Sequence, residues 1–191
     1  MNILFINVCV REESRTLGLA KALLERLPGD VTELKLEEEL LLPLNGERLA
    51  LRDRLLAAGE KENALFRFGR QFAAADAIVM AAPYWDLSFP SLLKLYVENI
   101  SAVGITFDYT PEGIPVGLCR AKELYYVTTA GGPFREDFGF RYIEGLCRQY
   151  YGIPVCHLIK AEGLDILGNN PAAILRNAAK EITERFHQDL S

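Results

Sequence analysis

Short apolar runs alternate along the chain with longer stretches of amphipathic sequence. The runs 3–8 and 77–82 are almost continuously apolar, which is typical of central strands covered on both faces. The run 31–36 alternates apolar and polar residues, as a strand near a sheet edge does. Two further runs, 122–129 and 154–160, bring the number of predicted strands to five.

The stretches between these runs carry apolar residues at helical spacing. They predict helices over residues 14–27, 61–75, 90–102, 140–151 and 171 to about 187. Ser14 or Thr16 can cap the first helix, and Pro90 suits the first turn of the third. The segment at about 37–59 fits neither pattern well, so we expect an irregular excursion there with at most one short helix.

This alternation predicts an α/β fold. Strands that alternate with helices form a doubly wound parallel sheet with helices on both faces and right-handed crossovers. The sequence contains no internal repeat, low-complexity tract or linker, so we expect residues 1–191 to form a single domain.

Charge and composition exclude several classes of function. Lys plus Arg is 21 and Asp plus Glu is 26, a net charge of −5 that argues against nucleic-acid binding. No apolar run reaches the ~20 residues of a membrane span, and residues 1–10 indicate a buried strand rather than a signal peptide. The two histidines, His157 and His187, lack ligand-spaced partners, so no metal site is expected. The four cysteines contain no C-x-x-C pair, which favours a reducing cytoplasm.

The loop after the first strand carries candidate phosphate ligands. Ligands of such folds bind beyond the carboxyl ends of the strands, and a helix N-terminus attracts anions. Residues 9–16 run directly into the first helix and include Arg11, Ser14, Arg15 and Thr16. Guanidinium groups match phosphate oxygens, although a capped helix with two solvated arginines explains the composition equally well. Neither a dinucleotide fingerprint nor an ATP P-loop is present, so a mononucleotide such as FMN fits better.

Two other strand-end loops are chemically distinctive. The loop after the third strand contains Tyr84 and Trp85, whose rings can stack on a flat ligand, unless one ring is core and the other faces a partner. The loop after the fourth strand ends in Gly131 and Gly132, where backbone amides can approach a ligand closely, or which simply form a turn.

These loops carry a family resemblance that covers nearly the whole chain. The segment from Ala81 to Glu98 reads AAPYWDLSFPSLLKLYVE, residues 104–113 read GITFDYTPEG, and residues 128–132 read TTAGG. The sequence resembles the FMN-dependent NAD(P)H:quinone oxidoreductases and NADH-azoreductases of flavodoxin-like fold. The resemblance implies a sheet of strand order 2-1-3-4-5 and a homodimer with its sites at the subunit interface.

The resemblance also implies which residues bind the cofactor. The residues implied to bind FMN are Cys9, Arg11, Ser14, Arg15, Thr16, Pro83, Tyr84, Trp85, Asp86, Leu87, Thr129, Ala130, Gly131 and Gly132. Trp85, Phe107 and Tyr109 are implied to lie at the substrate pocket. No protein nucleophile or general base is expected, because the cofactor carries the chemistry.

The implied activity is a two-step hydride relay. NADH or NADPH reduces the flavin at N5, and a quinone, azo or nitro compound then takes the two electrons. Two alternatives stay open: a flavodoxin-type electron carrier, and a flavodoxin-fold binding protein that has lost FMN. The second is motivated by departures from the family pattern at Cys9, Asp86 and Ala130.

Overall fold

A five-stranded parallel sheet forms the centre of the computed structural model, which describes residues 1–186. The sheet strands are β1 (Asn2–Asn7), β2 (Asp30–Lys35), β3 (Ala77–Ala81), β6 (Glu123–Thr129) and β7 (Val155–Ala161). A separate antiparallel hairpin consists of β4 (Phe107–Tyr109) and β5 (Pro115–Gly117). The sheet order is β2-β1-β3-β6-β7. It equals the predicted order 2-1-3-4-5, because the predicted fourth and fifth strands are β6 and β7 when the two hairpin strands are included in the numbering.

Six α-helices accompany the strands in residues 1–186. They are α1 (Arg15–Leu24), α2 (Gly46–Ala57), α3 (Arg67–Ala74), α4 (Ser91–Ile100), α5 (Phe140–Leu146) and α6 (Pro171–Arg185). A π-helical turn, Cys147–Tyr151, continues α5, so the helical segment ends at residue 151 as predicted. The predicted end of the last helix at His187 lies outside the described residues. In the described part of the chain no helix has the length and apolarity that a membrane crossing needs.

The helices cover the two faces of the sheet. Phe5 and Val79 pack with Leu23 of α1 and Ile182 of α6 on one face. The other face buries the alternate strand residues, such as Ile78, against α3, α4 and α5. Successive strand side chains point to opposite faces, so a strand buried on both sides must be apolar throughout. This explains the continuous apolar runs of β1 and β3.

Two segments differ from the sequence expectation. The segment 37–59, expected to be irregular, contains the twelve-residue helix α2. The helix expected over 61–75 begins only at Arg67, because the Asn63 side chain accepts a hydrogen bond from Leu65 N at 3.0 Å and closes a short 3-10 turn first.

The carboxyl ends of β1, β3 and β6 lie side by side, and backbone hydrogen bonds continue past them. Val8 N donates to Ala81 O at 2.9 Å, and Tyr84 N donates to Thr129 O at 3.1 Å. The three loops singled out in the sequence therefore meet at one edge of the sheet. β1 is the strand from which the chain winds outward in both directions, and such switch points form crevices.

Candidate functional site

The loop between β1 and α1 presents an open row of backbone donors. Ser14 caps α1, its Oγ accepting a hydrogen bond from Leu17 N at 3.2 Å. Within residues 1–186, the backbone N–H groups of residues 10–16 have no hydrogen-bond acceptor. Unpaired N–H groups at the start of a helix are a binding site for an anion, because they combine with the positive end of the helix dipole.

A pocket of about 240 Å³ opens in front of these donors. The structure brings nine predicted residues to its wall: Arg11, Ser14, Arg15, Thr16, Pro83, Tyr84, Trp85, Thr129 and Gly131. The pocket is also lined by Val10, Glu13 and Asp165, which the sequence did not single out. The buried hydroxyls of Thr16 and Thr129 lie 2.7 Å apart and tie the first loop to the third.

Two aromatic residues, Tyr84 and Trp85, line the same pocket, and they differ in how firmly their neighbours hold them. The Tyr84 ring lies 4.1 Å from that of Phe134, and its hydroxyl donates to Glu136 O at 2.7 Å. Tyr84 is therefore fixed by its neighbours. Trp85 is 39% exposed. The indole of Trp85 thus offers the accessible flat surface on which a planar ligand can stack.

The chain turns sharply after Trp85. Trp85 N donates to Ser88 O at 3.1 Å and Ser88 N to Trp85 O at 2.8 Å, with Asp86 at φ 50° and Leu87 at φ 66° between them. Residues with a side chain rarely adopt this left-handed backbone conformation, so the turn is strained, as the backbone at ligand sites often is. The N–H groups of Asp86 and Leu87 find no acceptor in the described chain and remain able to donate to a ligand.

Gly131, in the loop after β6, lies against the carboxylate of Asp165. A Cβ on Gly131 would lie 2.2 Å from Oδ2 of Asp165, which is far closer than such atoms can approach. The N–H groups of Gly131 and Gly132 have no acceptor in residues 1–186. This loop therefore adds two further donors beside the pocket.

Some predicted residues lie elsewhere. The Cys9 thiol packs in the core and contacts Ala81 O at 3.6 Å, and burial raises its pKa, so Cys9 is neither a pocket residue nor an activated thiol. Ala130 is buried, with its N–H bonded to Ala161 O at 2.9 Å. Asp86, Leu87 and Gly132 belong to the adjoining loops without lining the pocket.

Of the three residues expected at the substrate pocket, only Trp85 lines this pocket within the chain. Phe107 and Tyr109 belong to the β4–β5 hairpin and do not line the pocket. Phe107 packs its ring 5.1 Å from that of Tyr150, while Tyr109 is 46% exposed. Neither residue completes this pocket within the chain.

Asp165 is the functional candidate that sequence reasoning missed. Its carboxylate forms two hydrogen bonds with the Arg15 guanidinium, at 2.8 and 3.1 Å. The hydrogen bonds to Arg15 lower the pKa of Asp165, and the same contact raises the pKa of Arg15. The available signal was topological: β7 is the neighbour of β6, so the loop after β7 ends at the same edge of the sheet.

The donors of the site determine its chemistry. Backbone N–H groups, hydroxyls and the Arg11 guanidinium suit phosphate oxygens, and an accessible aromatic face suits a planar ring. In residues 1–186 no three His, Cys, Asp or Glu side chains come together as a metal site. The pocket can therefore bind a planar molecule with a phosphate tail.

Comparisons with known proteins agree with this geometry. Residues 1–186 match the sequence model of a family described as "Flavodoxin-like fold". The chain is 34% identical over 196 residues, 96% of each chain, to FMN-dependent NADH:quinone oxidoreductase 2 of Clostridium acetobutylicum.

Solved structures share the fold. An azoreductase from Bacillus anthracis str. Sterne has a TM-score of 0.84 and 24% identity, covering 97% of this chain and 98% of its own. An FMN-dependent NADH-azoreductase from Bacillus anthracis str. Ames Ancestor, solved in complex with FMN, has a TM-score of 0.80 and 22% identity over 96% of each chain. The chain thus belongs to the flavodoxin-like family that includes the FMN-dependent NADH:quinone oxidoreductases.

Proposed function

We propose that this protein is an FMN-dependent NAD(P)H oxidoreductase that reduces quinones, azo or nitro compounds by two electrons. The observation that carries the proposal is the loop at residues 10–16, whose N–H groups have no acceptor within residues 1–186 and whose residues line the same pocket as Trp85. The relative from Clostridium acetobutylicum, named as an FMN-dependent NADH:quinone oxidoreductase, supports the choice of cofactor and donor.

The pocket fits FMN at both ends. The FMN phosphate would accept hydrogen bonds from the 10–16 amides, from Ser14 and from the Arg11 guanidinium, which forms no ion pair in the described chain. The polar edge of the flavin ring carries oxygen and nitrogen acceptors. The free N–H groups of residues 86–87 and 131–132 would donate to that edge.

The chain's own part in the reaction is to bind and orient. When bound, FMN supplies hydride transfer at N5, first from the nicotinamide and then to the acceptor. The fixed Tyr84 and the hydrogen-bonded Thr16–Thr129 pair hold the pocket walls in place. Such fixed walls align two flat reactants, and alignment supplies much of the rate of a transfer between them.

The proposal includes a homodimer with its two sites at the subunit interface. The β4–β5 hairpin exposes Tyr109, Ile114, Val116 and Leu118 at 45–60%, an apolar surface that a second subunit would cover. Tyr109 or water would then protonate the reduced acceptor. We further propose a single-domain, cytoplasmic protein, supported by the one sheet that all helices but α2 pack against and by the absence of disulfides in residues 1–186.

The visible spectrum and steady-state turnover test the proposal together. The purified protein is expected to be yellow or to take up FMN, to bleach on addition of NADH, and to oxidise NADH continuously when menadione is present. Bleaching without turnover would favour an electron carrier. Failure to bind FMN would favour a binding protein that has lost the cofactor.

A further inference from the structure

Arg15 and Asp165 face each other across the wall of the pocket. Arg15 is the first residue of α1, and Asp165 follows β7, so the contact bridges two loops 150 residues apart. Both carboxylate oxygens accept a hydrogen bond from the guanidinium, at 2.8 and 3.1 Å. The pair therefore engages two N–H groups of the Arg15 guanidinium.

Asp165 and Arg15 reach their contact in different ways. Asp165 N donates to Gly131 O at 2.8 Å, and Gly163 N donates to Gly132 O at 3.0 Å, so the backbone that carries Asp165 is bonded to the loop after β6. Gly131 leaves just enough room for the carboxylate. Arg15 reaches the contact through a long side chain that is 34% exposed. The backbone of Asp165 is therefore held by the loop after β6, while its carboxylate is 64% exposed and stays open to solvent beside the guanidinium.

The charges that line the pocket cancel. They are the cations Arg11 and Arg15 and the carboxylates Glu13 and Asp165. A phosphate that enters as a dianion would meet a carboxylate beside the guanidinium it needs. The exposed ion pair is weak, and an arginine binds a dianionic phosphate more strongly than it binds a solvated carboxylate.

We propose that Asp165 competes with the phosphate of the flavin for Arg15 and thereby sets how tightly and how selectively the pocket binds phosphorylated flavin. Arg15 leaves Asp165 when the phosphate binds and returns when it departs. Part of the phosphate's binding energy is spent on separating the pair, so the occupied site releases FMN more readily than it would without Asp165. This inference rests on the proposed function, because it takes FMN as the ligand.

Flavin titrations of matched variants test the competition. Dissociation constants for FMN and riboflavin are measured by flavin fluorescence with the wild type, Asp165→Asn, Arg15→Gln and the double variant. Asp165→Asn should bind FMN about three- to ten-fold more tightly and riboflavin unchanged, because riboflavin has no phosphate. Arg15→Gln should weaken FMN alone. In the double variant the gain from Asp165→Asn should fall below about two-fold, because its target is gone.

A control variant and four possible outcomes decide between the interpretations. Glu184→Gln removes an equally exposed, ion-paired carboxylate of α6, remote from the pocket lining, and should alter neither constant. Weaker FMN binding by Asp165→Asn would overturn the inference, since Asp165 would then position Arg15 for the phosphate. An undiminished gain in the double variant would overturn it too, because repulsion alone would explain it. A wild type that binds neither flavin overturns the proposed function itself, whereas normal turnover with an unchanged FMN constant in Asp165→Asn overturns only this inference.

Discussion

Arg11 is the pocket cation that needs no rearrangement to bind a phosphate, because no carboxylate within residues 1–186 forms an ion pair with it. We expect Arg11→Ala to weaken FMN binding about ten- to a hundred-fold, since a hydrogen bond to a charged group contributes about 1.5–3 kcal/mol. Riboflavin binding should be unchanged. Fluorescence titration with the two flavins measures both constants.

Arg176→Ala is the matched control, because Arg176 lies on α6 outside this pocket. It should leave the preference for FMN over riboflavin intact. If Arg11→Ala lowered the affinity for both flavins equally, Arg11 would support the loop rather than contact the phosphate.

Residue types were easier to predict than side-chain directions. The arginines and hydroxyls of the first loop follow from a helix start after a buried strand. Cys9 was expected among the cofactor-binding residues, but its side chain is buried in the core and does not line the pocket. Ile3 and Phe5 point to one face of the sheet, and the two-residue period continues through Cys9 into the same core. The partner of Arg15 could not be read from local sequence, because Asp165 lies 150 residues away and only the strand order brings the two loops together.

The β4–β5 hairpin docks through a contact between two glycines. A Cβ on Gly117 would lie 2.1 Å from Gly152 N and 2.2 Å from the carbonyl carbon of Tyr151. Backbone atoms cannot yield as a flexible side chain can. We therefore expect Gly117→Ala to lower the free energy of unfolding by about 2 kcal/mol or more, measured by urea denaturation.

Gly18→Ala provides the comparison within the same chain. Gly18 lies exposed in α1, and an added Cβ would meet nothing within 4 Å. Alanine is the better helix former by about 1 kcal/mol, so this variant should be slightly more stable. Equal effects from the two substitutions would mean that the hairpin can shift away and that its docking is loose.

Elements with a strong pattern were predicted well, and those without one were not. The five sheet strands match the prediction to within about one residue at each end, because apolar runs report burial directly. α2 contains no fully buried residue, and only Leu55 and Leu56 pack against the small cluster around Phe66, so its apolar face is too short to predict a helix. The hairpin strands have three residues each, too few to show alternation.

The strand order decides where the loops meet, and it is a property of the whole molecule. The alternation of strands and helices predicts a parallel sheet, but several orders satisfy it. The order was predicted from the family resemblance, and the convergence of three loops followed from the order. The fourth loop, which carries Asp165, could have been added by the same argument, since the fifth strand pairs with the fourth.

Acid should destabilise the molecule in part through Glu123, at the end of β6 opposite the pocket. Its carboxylate accepts hydrogen bonds from the Tyr125 hydroxyl at 2.6 Å and pairs with His157 of β7 at 3.0 Å. The Tyr125 hydrogen bond, followed by His157, lowers the pKa of Glu123 below its ordinary 4.5. A carboxyl group whose pKa is lower in the folded state stabilises that state above pH 4.5, and the effect fades as the pH falls further.

Glu123→Gln should therefore lower the free energy of unfolding at pH 7 by less than about 1 kcal/mol, because the carboxylate is 45% exposed and solvent screens it. The gap to the wild type should narrow as the pH falls below 4.5, because protonated glutamate resembles glutamine. Urea denaturation at pH 7, 5 and 3 measures this difference in unfolding free energy. Glu60→Gln is the control, because Glu60 is exposed and belongs to no ion pair within residues 1–186. Since Glu123 lies a full strand length from the pocket, FMN affinity at pH 7 should stay unchanged. A gap that stays constant with pH would mean that the contact stabilises by shape rather than by charge.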